Sequence, residues 1–285
     1  MSVGQARKNI IEVDGFKLNY IIEGNGLPTI VIGSSIYYPR VFSPNLRKYL
    51  RLIFMDHRGF TPTQGMLETS KFELSVIIED IESLRKTLNL ERIAIIGHSG
   101  HGFMALEYAK KYPDHVSHVV LIGMGPNNSA KSQAEADQYF QDSVCDERKA
   151  ILEENLKLLP AEIEAAPDQR FITFCLRLGA RSWYDYQFDA SPLWKDVNVN
   201  MQIIDYLWGN VFRDIDITKG LQSFDKPIFL GLGQFDYLVA PFYTWNSIRQ
   251  KFKKLTVRLF EQSSHTPQFE EPNKFDKELL EWLSL

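Results

Sequence analysis

An α/β fold, with a mostly parallel sheet covered by helices on both faces, is the class this sequence predicts. Three observations carry that prediction. Short, wholly apolar, β-rich runs alternate with amphipathic helical stretches, as expected of strands buried on both faces and joined by crossover helices. One such run, Arg92 to Ile96, breaks into Gly97-His98-Ser99-Gly100-His101-Gly102 and passes at once into a helical pattern. The alternation stops near residue 127 and resumes after Lys226, so a segment without strands interrupts an otherwise regular sheet.

The chain opens as a hairpin. Asn9 to Val13 and Phe16 to Ile22 are strand-like on either side of Asp14-Gly15, a preferred two-residue turn. Thr29 to Gly33 and Arg51 to Asp56 are apolar enough to be strands buried on both faces. Ser70-Lys71-Phe72-Glu73 has the form of a capping box, opening a helix with Leu74, Ile77, Ile78, Ile81 and Leu84 at helical spacing. Phe103, Met104, Leu106, Tyr108 and Ala109 give the helix after the glycine-rich turn its apolar face, and Tyr112-Pro113-Asp114 stops it. Val116 to Ile122 is the sixth strand.

Residues 127–222 then read as a helical cap, with helices over Ser132 to Leu159 and Arg170 to Leu178 and many aromatic residues. The core domain comprises 1–126 and 223–285. It closes with a strand at Pro227 to Leu232, a helix at Trp245 to Phe252, a strand at Leu255 to Phe260 and a helix at Asn273 to Leu283. An insertion at this point lies over the carboxyl ends of the strands, where open α/β sheets bind their ligands.

Bulk properties narrow the partners. A net charge of −4 over 285 residues gives no electrostatic case for nucleic acid or an anionic membrane. No apolar run approaches the ~20 residues of a membrane span, and Met1 to Lys8 lacks the apolar core of a signal peptide. Cys145 and Cys175 read as reduced thiols of a cytoplasmic protein. The expected partner is a small-molecule substrate, with no metal and no cofactor. Oligomeric state is not legible.

Strand, sharp turn with serine at its apex, then helix is the geometry of a nucleophile elbow. Ser99 is the candidate nucleophile, and it needs a base and an orienting carboxylate. Of six histidines, His98 and His101 are close to Ser99 along the turn and are expected to point elsewhere. His115 and His118 lie at the far end of their elements. His265 follows the last strand directly, on the rim where a base for Ser99 must sit. Asp236, in the turn after the strand 227–232, emerges on the same rim, so the order is Ser, Asp, His. Oxyanion donors are expected at the Gly100 and Ser34 amides, with Ser35 as the fallback. Ser35, Tyr37, His101, Trp183 and Tyr184 are candidate substrate contacts. His101 stands where glycine is usual, either packing there or lining the pocket floor. Asp56 and Arg58 read as a structural, buried arginine–carboxylate arrangement.

These motifs resemble the α/β-hydrolase superfamily over essentially the whole chain, and within it the proline iminopeptidase-related group. The resemblance rests on Gly97-His98-Ser99, Ala105 to Ala109, Tyr112-Pro113-Asp114-His115-Val116 and Asp56-His57-Arg58-Gly59. It also rests on Gly233-Gln234-Phe235-Asp236, Ser264-His265-Thr266-Pro267 and Phe269-Glu270-Glu271-Pro272. It implies a mostly parallel eight-stranded sheet with a helical cap after the sixth strand. Where proline iminopeptidases carry His-Gly-Gly-Pro-Gly, this chain has Ile32-Gly33-Ser34-Ser35-Ile36, so the resemblance carries over fold, triad and lid but not proline specificity. The expected activity is hydrolysis of an ester, lactone or amide through an acyl-enzyme on Ser99. The alternatives are an aminopeptidase, a ligand sensor with a retained triad, and a cofactor-free lyase.

Overall fold

The computed structural model describes residues 7–62 and 65–285. Residues 1–6, read above as lacking a signal-length apolar run, lie outside the described residues. β1 (Arg7–Val13) and β2 (Phe16–Glu23) form the expected antiparallel hairpin. Asp14 (φ 54°) and Gly15 (φ 84°) both take the left-handed conformation that a tight hairpin turn demands. β3 (Leu27–Gly33), β4 (Leu50–Asp56), β5 (Ile93–His98), β6 (Val116–Ile122), β7 (Ile228–Gly233) and β8 (Leu255–Phe260) run parallel to one another. β2 joins them antiparallel through β4, giving the order β1-β2-β4-β3-β5-β6-β7-β8.

Strand periodicity divides the core into two layers. Ile30, Ile32, Ile95, Val119 and Leu121 face one side, while Val31, Ile96, Val120 and Ile122 face the other. A single turn α1 (Tyr38–Val41) follows β3, and α2 (Leu74–Thr87) and α3 (His101–Lys111) cover the first layer. Between β6 and β7 the chain is helical, as α4 (Ala130–Ser143), α5 (Asp146–Ala165), α6 (Arg170–Arg177), α7 (Gly179–Ser182), α8 (Ser191–Trp194), α9 (Met201–Tyr206) and α10 (Phe212–Asp214). After β8 come α11 (Pro267–Glu270) and α12 (Pro272–Leu283), the latter covering the second layer through Phe275 and Leu279. No described helix is long and apolar enough to cross a membrane.

The structure departs from the sequence reading in four places. Ser70 does not cap α2: its hydroxyl turns to Glu68, and the helix begins behind Glu73 without a side-chain cap. The helix expected over 132–159 breaks at Val144-Cys145, both extended, because Asp146 and Glu147 suit a new helix N-terminus. Residues 242–251 form two tighter 3-10 turns around the buried Trp245, whose Nε1 donates to the Met124 carbonyl at 2.9 Å. Asp56 and Arg58 are both buried but serve different partners. Arg58 grips Asp80 through two bonds of 2.6 and 2.7 Å, while Asp56 accepts the Ser35 N–H at 2.5 Å and Asn19 Nδ2 at 2.9 Å. α2 brings Asp80 up to the guanidinium with both oxygens in reach, so one carboxylate meets two donors at once.

Candidate active site

Ser99 stands between β5 and α3 with φ 57°, a conformation a non-glycine residue adopts only when its surroundings enforce it. Its N–H donates to the Ile122 carbonyl (2.8 Å) and its carbonyl accepts the Gly102 N–H (2.9 Å), so the turn is held from both sides. Strand and helix nearly touch there. A Cβ on Gly97 would stand 2.2 Å from the His101 carbonyl oxygen, and one on Gly102 would stand 2.2 Å from Met124 Sδ.

His265 and Asp236 arrive from the ends of β8 and β7. His265 Nδ1 and Asp236 Oδ2 are 2.8 Å apart, and Asp236 Oδ1 accepts the Leu238 N–H at 3.0 Å, so both carboxylate oxygens are engaged. The His265 main chain is anchored as well: its N–H donates to the Ser182 carbonyl (3.1 Å) and its carbonyl lies 2.8 Å from His98 Nε2. Glu270 adds a clamp, accepting the Ser264 and Thr266 N–H groups (3.0 Å each) on one oxygen and the Tyr184 N–H (2.6 Å) on the other. Burial pushes the Glu270 carboxyl up to about 7, against the pull of those three donors.

Gly100 leads into α3, where a helix N-terminus favours negative charge. The Ser34 side chain accepts the Ile36 and Tyr37 N–H groups (3.2 Å each), which shapes the loop after β3. Among the described residues neither the Gly100 nor the Ser34 N–H is donated to a neighbour. The Ser35 N–H is donated to Asp56, so Ser35 is unsuited as the fallback oxyanion donor.

Ser34, Ser99, Gly100 and His265 line one cavity of about 310 Å³. Tyr37, His101 and Trp183 line it too, whereas Ser35 and Tyr184 do not. Ser35 is buried behind the loop, and Tyr184 is 45% exposed with its ring against Phe235. The sequence reading missed Tyr38, Phe60, Phe171, Trp194 and Trp208, which also line the cavity. Among the described residues, no aspartate, glutamate, lysine or arginine side chain lines it. Cap carboxylates point elsewhere: Glu153 and Glu154 pair with Lys157, and Glu162 pairs with Arg177. Cys145 and Cys175 are both free, and Cys175 faces the cavity with its thiol pushed up to about 12 by burial.

His101 both packs and lines the cavity. Its imidazole fits because Gly33 and Gly59 leave room for it and for its neighbours Tyr38 and His57. A Cβ on Gly33 would strike the Tyr38 ring at 2.1 Å and approach His101 at 3.1 Å, and one on Gly59 would strike His57 at 2.5 Å. No group of histidine, cysteine and carboxylate side chains among the described residues is arranged to hold a metal ion.

A serine on a strained strand-to-helix turn, above a sheet of this order with helices inserted after its sixth strand, defines the alpha/beta hydrolase class. The chain belongs to the alpha/beta hydrolase fold family, whose profile matches residues 21–272. It is 42% identical over 277 residues to the AB hydrolase superfamily protein YclE of Bacillus subtilis, covering 97% of this chain and 99% of that one. It is 23% identical over 270 residues to a proline iminopeptidase of Heyndrickxia coagulans, covering 88% of each. Among solved structures, the proline iminopeptidase of Mycobacterium smegmatis superposes with a TM-score of 0.73 at 15% identity, covering 98% of both chains. The esterase EaEST of Exiguobacterium antarcticum gives 0.70 at 20% identity, covering 98% of this chain and all (100%) of that one. These two likenesses show the fold.

Proposed function

We propose that this protein is a serine hydrolase acting on an uncharged, largely apolar ester or lactone. His265 Nε2 takes the Ser99 hydroxyl proton as Oγ attacks the substrate carbonyl, and Asp236 holds the Nδ1–H and stabilises the imidazolium. The Gly100 and Ser34 amides receive the oxyanion, each such donor being worth about 2.7–4 kcal/mol in comparable sites. The imidazolium then protonates the leaving alkoxide. Water, deprotonated by the same ring, releases the acyl group and restores Ser99.

The observation that carries the substrate class is the uncharged lining of the cavity. An aminopeptidase must hold the substrate's ammonium, and a desolvated ammonium without a partner costs several kcal/mol. Aromatic rings and a few neutral polar groups suit an apolar acyl or aryl group instead.

A fluorophosphonate probe should label the wild type and leave Ser99→Ala unlabelled; equal labelling of both removes Ser99 from the mechanism. Neutral aryl esters should exceed proline arylamide in kcat/KM by at least ~100-fold, the factor that several kcal/mol of unpaired charge implies. Faster arylamide turnover would reverse the choice of substrate.

A further inference from the structure

Three histidines and a tyrosine lie beneath the elbow without a part in the proton transfers above. His57, His98 and His101 are all at most 5% exposed, and Tyr38 is 3% exposed. We propose that they form one directional hydrogen-bond chain that fixes the main chain of His265, making His98, through its bond to that carbonyl, a positioning residue for the base.

The direction follows from the two ends, whose polarity the peptide group dictates. At one end the Gly59 N–H donates to His57 Nδ1 at 2.9 Å, so that nitrogen is bare and the His57 proton sits on Nε2. His57 Nε2 faces His101 Nε2 at 3.2 Å, which must therefore accept, placing the His101 proton on Nδ1. An independent contact agrees: His101 Nδ1 also lies 3.1 Å from the His98 carbonyl, which only accepts. His101 Nδ1 donates to the Tyr38 hydroxyl at 2.8 Å, and that hydroxyl turns its own proton to His98 Nδ1 at 3.3 Å. His98 Nε2 then carries the proton and donates to the His265 carbonyl at 2.8 Å. Every polar atom of the four rings is matched, and reversing any one link would set two donors or two acceptors face to face.

Burial reinforces the pattern by keeping the rings uncharged. It holds His57 and His98 down to about 3 and His101 well below its ordinary value, and raises Tyr38 well above its own. The chain also has a cap-facing end. The Gly59 carbonyl accepts the N–H of Asn200, the residue that caps α9, at 2.8 Å. The Trp208 ring lies over His57 and edge-on to His101. A contact made by the cap at the end of β4 is thereby connected to the base at the end of β8, passing under Ser99.

Two measurements test the chain, and only the second rests on the hydrolase reading. Nitrogen-15 spectra of the imidazoles should show neutral rings at pH 7, protonated on Nε2 in His57 and His98 and on Nδ1 in His101. A cationic ring or any other tautomer overturns the chain whether or not the protein turns anything over. Tyr38→Phe deletes one oxygen from its middle, and His57→Phe breaks its start at a residue outside the cavity lining. Each should move the carbon-13 shift of the His265 carbonyl and lower kcat on an aryl ester ten-fold or more. For His57→Phe, KM should stay within two-fold. His57→Gln, whose Nε2 can still donate toward His101, should recover most of the loss. If His57→Phe fails to fold by thermal melting, Tyr38→Phe decides alone. An unmoved carbonyl shift, or wild-type kcat in either folded variant, refutes the positioning role.

Discussion

Replacing Glu270 by alanine probes how firmly the loop that carries His265 is held. The carboxylate accepts three main-chain N–H groups, from Ser264, Thr266 and Tyr184. Tyr184 is exposed, so water can take over there, but Ser264 and Thr266 are buried on either side of His265. An unmet buried donor costs about 1–3 kcal/mol, so two give roughly 2–6, and settling of the loop brings this to about 2–4 kcal/mol. That is a sizeable share of the roughly 5–15 kcal/mol that stabilises a whole domain. Urea unfolding should show the midpoint falling by about 1 M, with kcat down at least ~10-fold as His265 loses its flanking anchors. A wild-type midpoint together with a wild-type kcat would refute the clamp.

The same group makes a pH prediction. Its folded value, about 7, lies above the ordinary 4.5, so between those pH values the folded chain keeps a proton that the unfolded chain releases. This contribution to stability is full below about 4.5, declines as pH rises toward 7, and is flat above. The proton belongs on Oε1, because Oε2 already serves the two buried donors. Acidification from pH 8 to 6 should therefore lower the exchange protection factor of the Tyr184 amide while those of Ser264 and Thr266 hold. A Tyr184 protection factor independent of pH contradicts that placement.

Two further predictions follow from the elbow and its acid. Asp236→Asn keeps the shape but presents an amide that favours the wrong His265 tautomer, so kcat should drop about 10⁴-fold with little change in melting temperature; a loss below ten-fold would argue for another acid. Gly97→Ala puts a methyl 2.2 Å from the His101 carbonyl, and since that neighbour is main chain the overpacking should cost about 1–3 kcal/mol; an unchanged calorimetric transition would show that β5 and α3 can part freely.

What the sequence made legible is what local chemistry determines. Asp14-Gly15, the turn around Ser99, and the polar residues following Leu232 and Phe260 are short signals, and each marks the end of an apolar strand. A parallel sheet then delivers Ser99, Asp236 and His265 to one rim without further instruction. Partnerships between distant side chains left no such mark. Nothing near Arg58 distinguishes Asp56 from Asp80, and only the path of α2 decides between them. His98 and His101 look like bystanders because their partners, Tyr38 and His57, come from other strand ends. Trp183 and Tyr184 are adjacent in sequence, yet the extended backbone after α7 sends one ring into the cavity and the other into solvent. Glu270 stood inside a recognised loop, but one of its three donors, the Tyr184 N–H, comes from the cap, whose docking is a tertiary event.

Cys175 gives the cavity a reporter of its own. Its thiol stays protonated at neutral pH while it is covered, and thiolate is the form that alkylating reagents capture. Cys145 is exposed and reacts first, so a Cys145→Ser background leaves a single thiol, that of Cys175, on the cavity wall. Cys175 is half-buried, so its alkylation rate in that background reports how far the cavity wall is open to solvent. A compound that slows this alkylation occupies the cavity, so binding can be read without turnover.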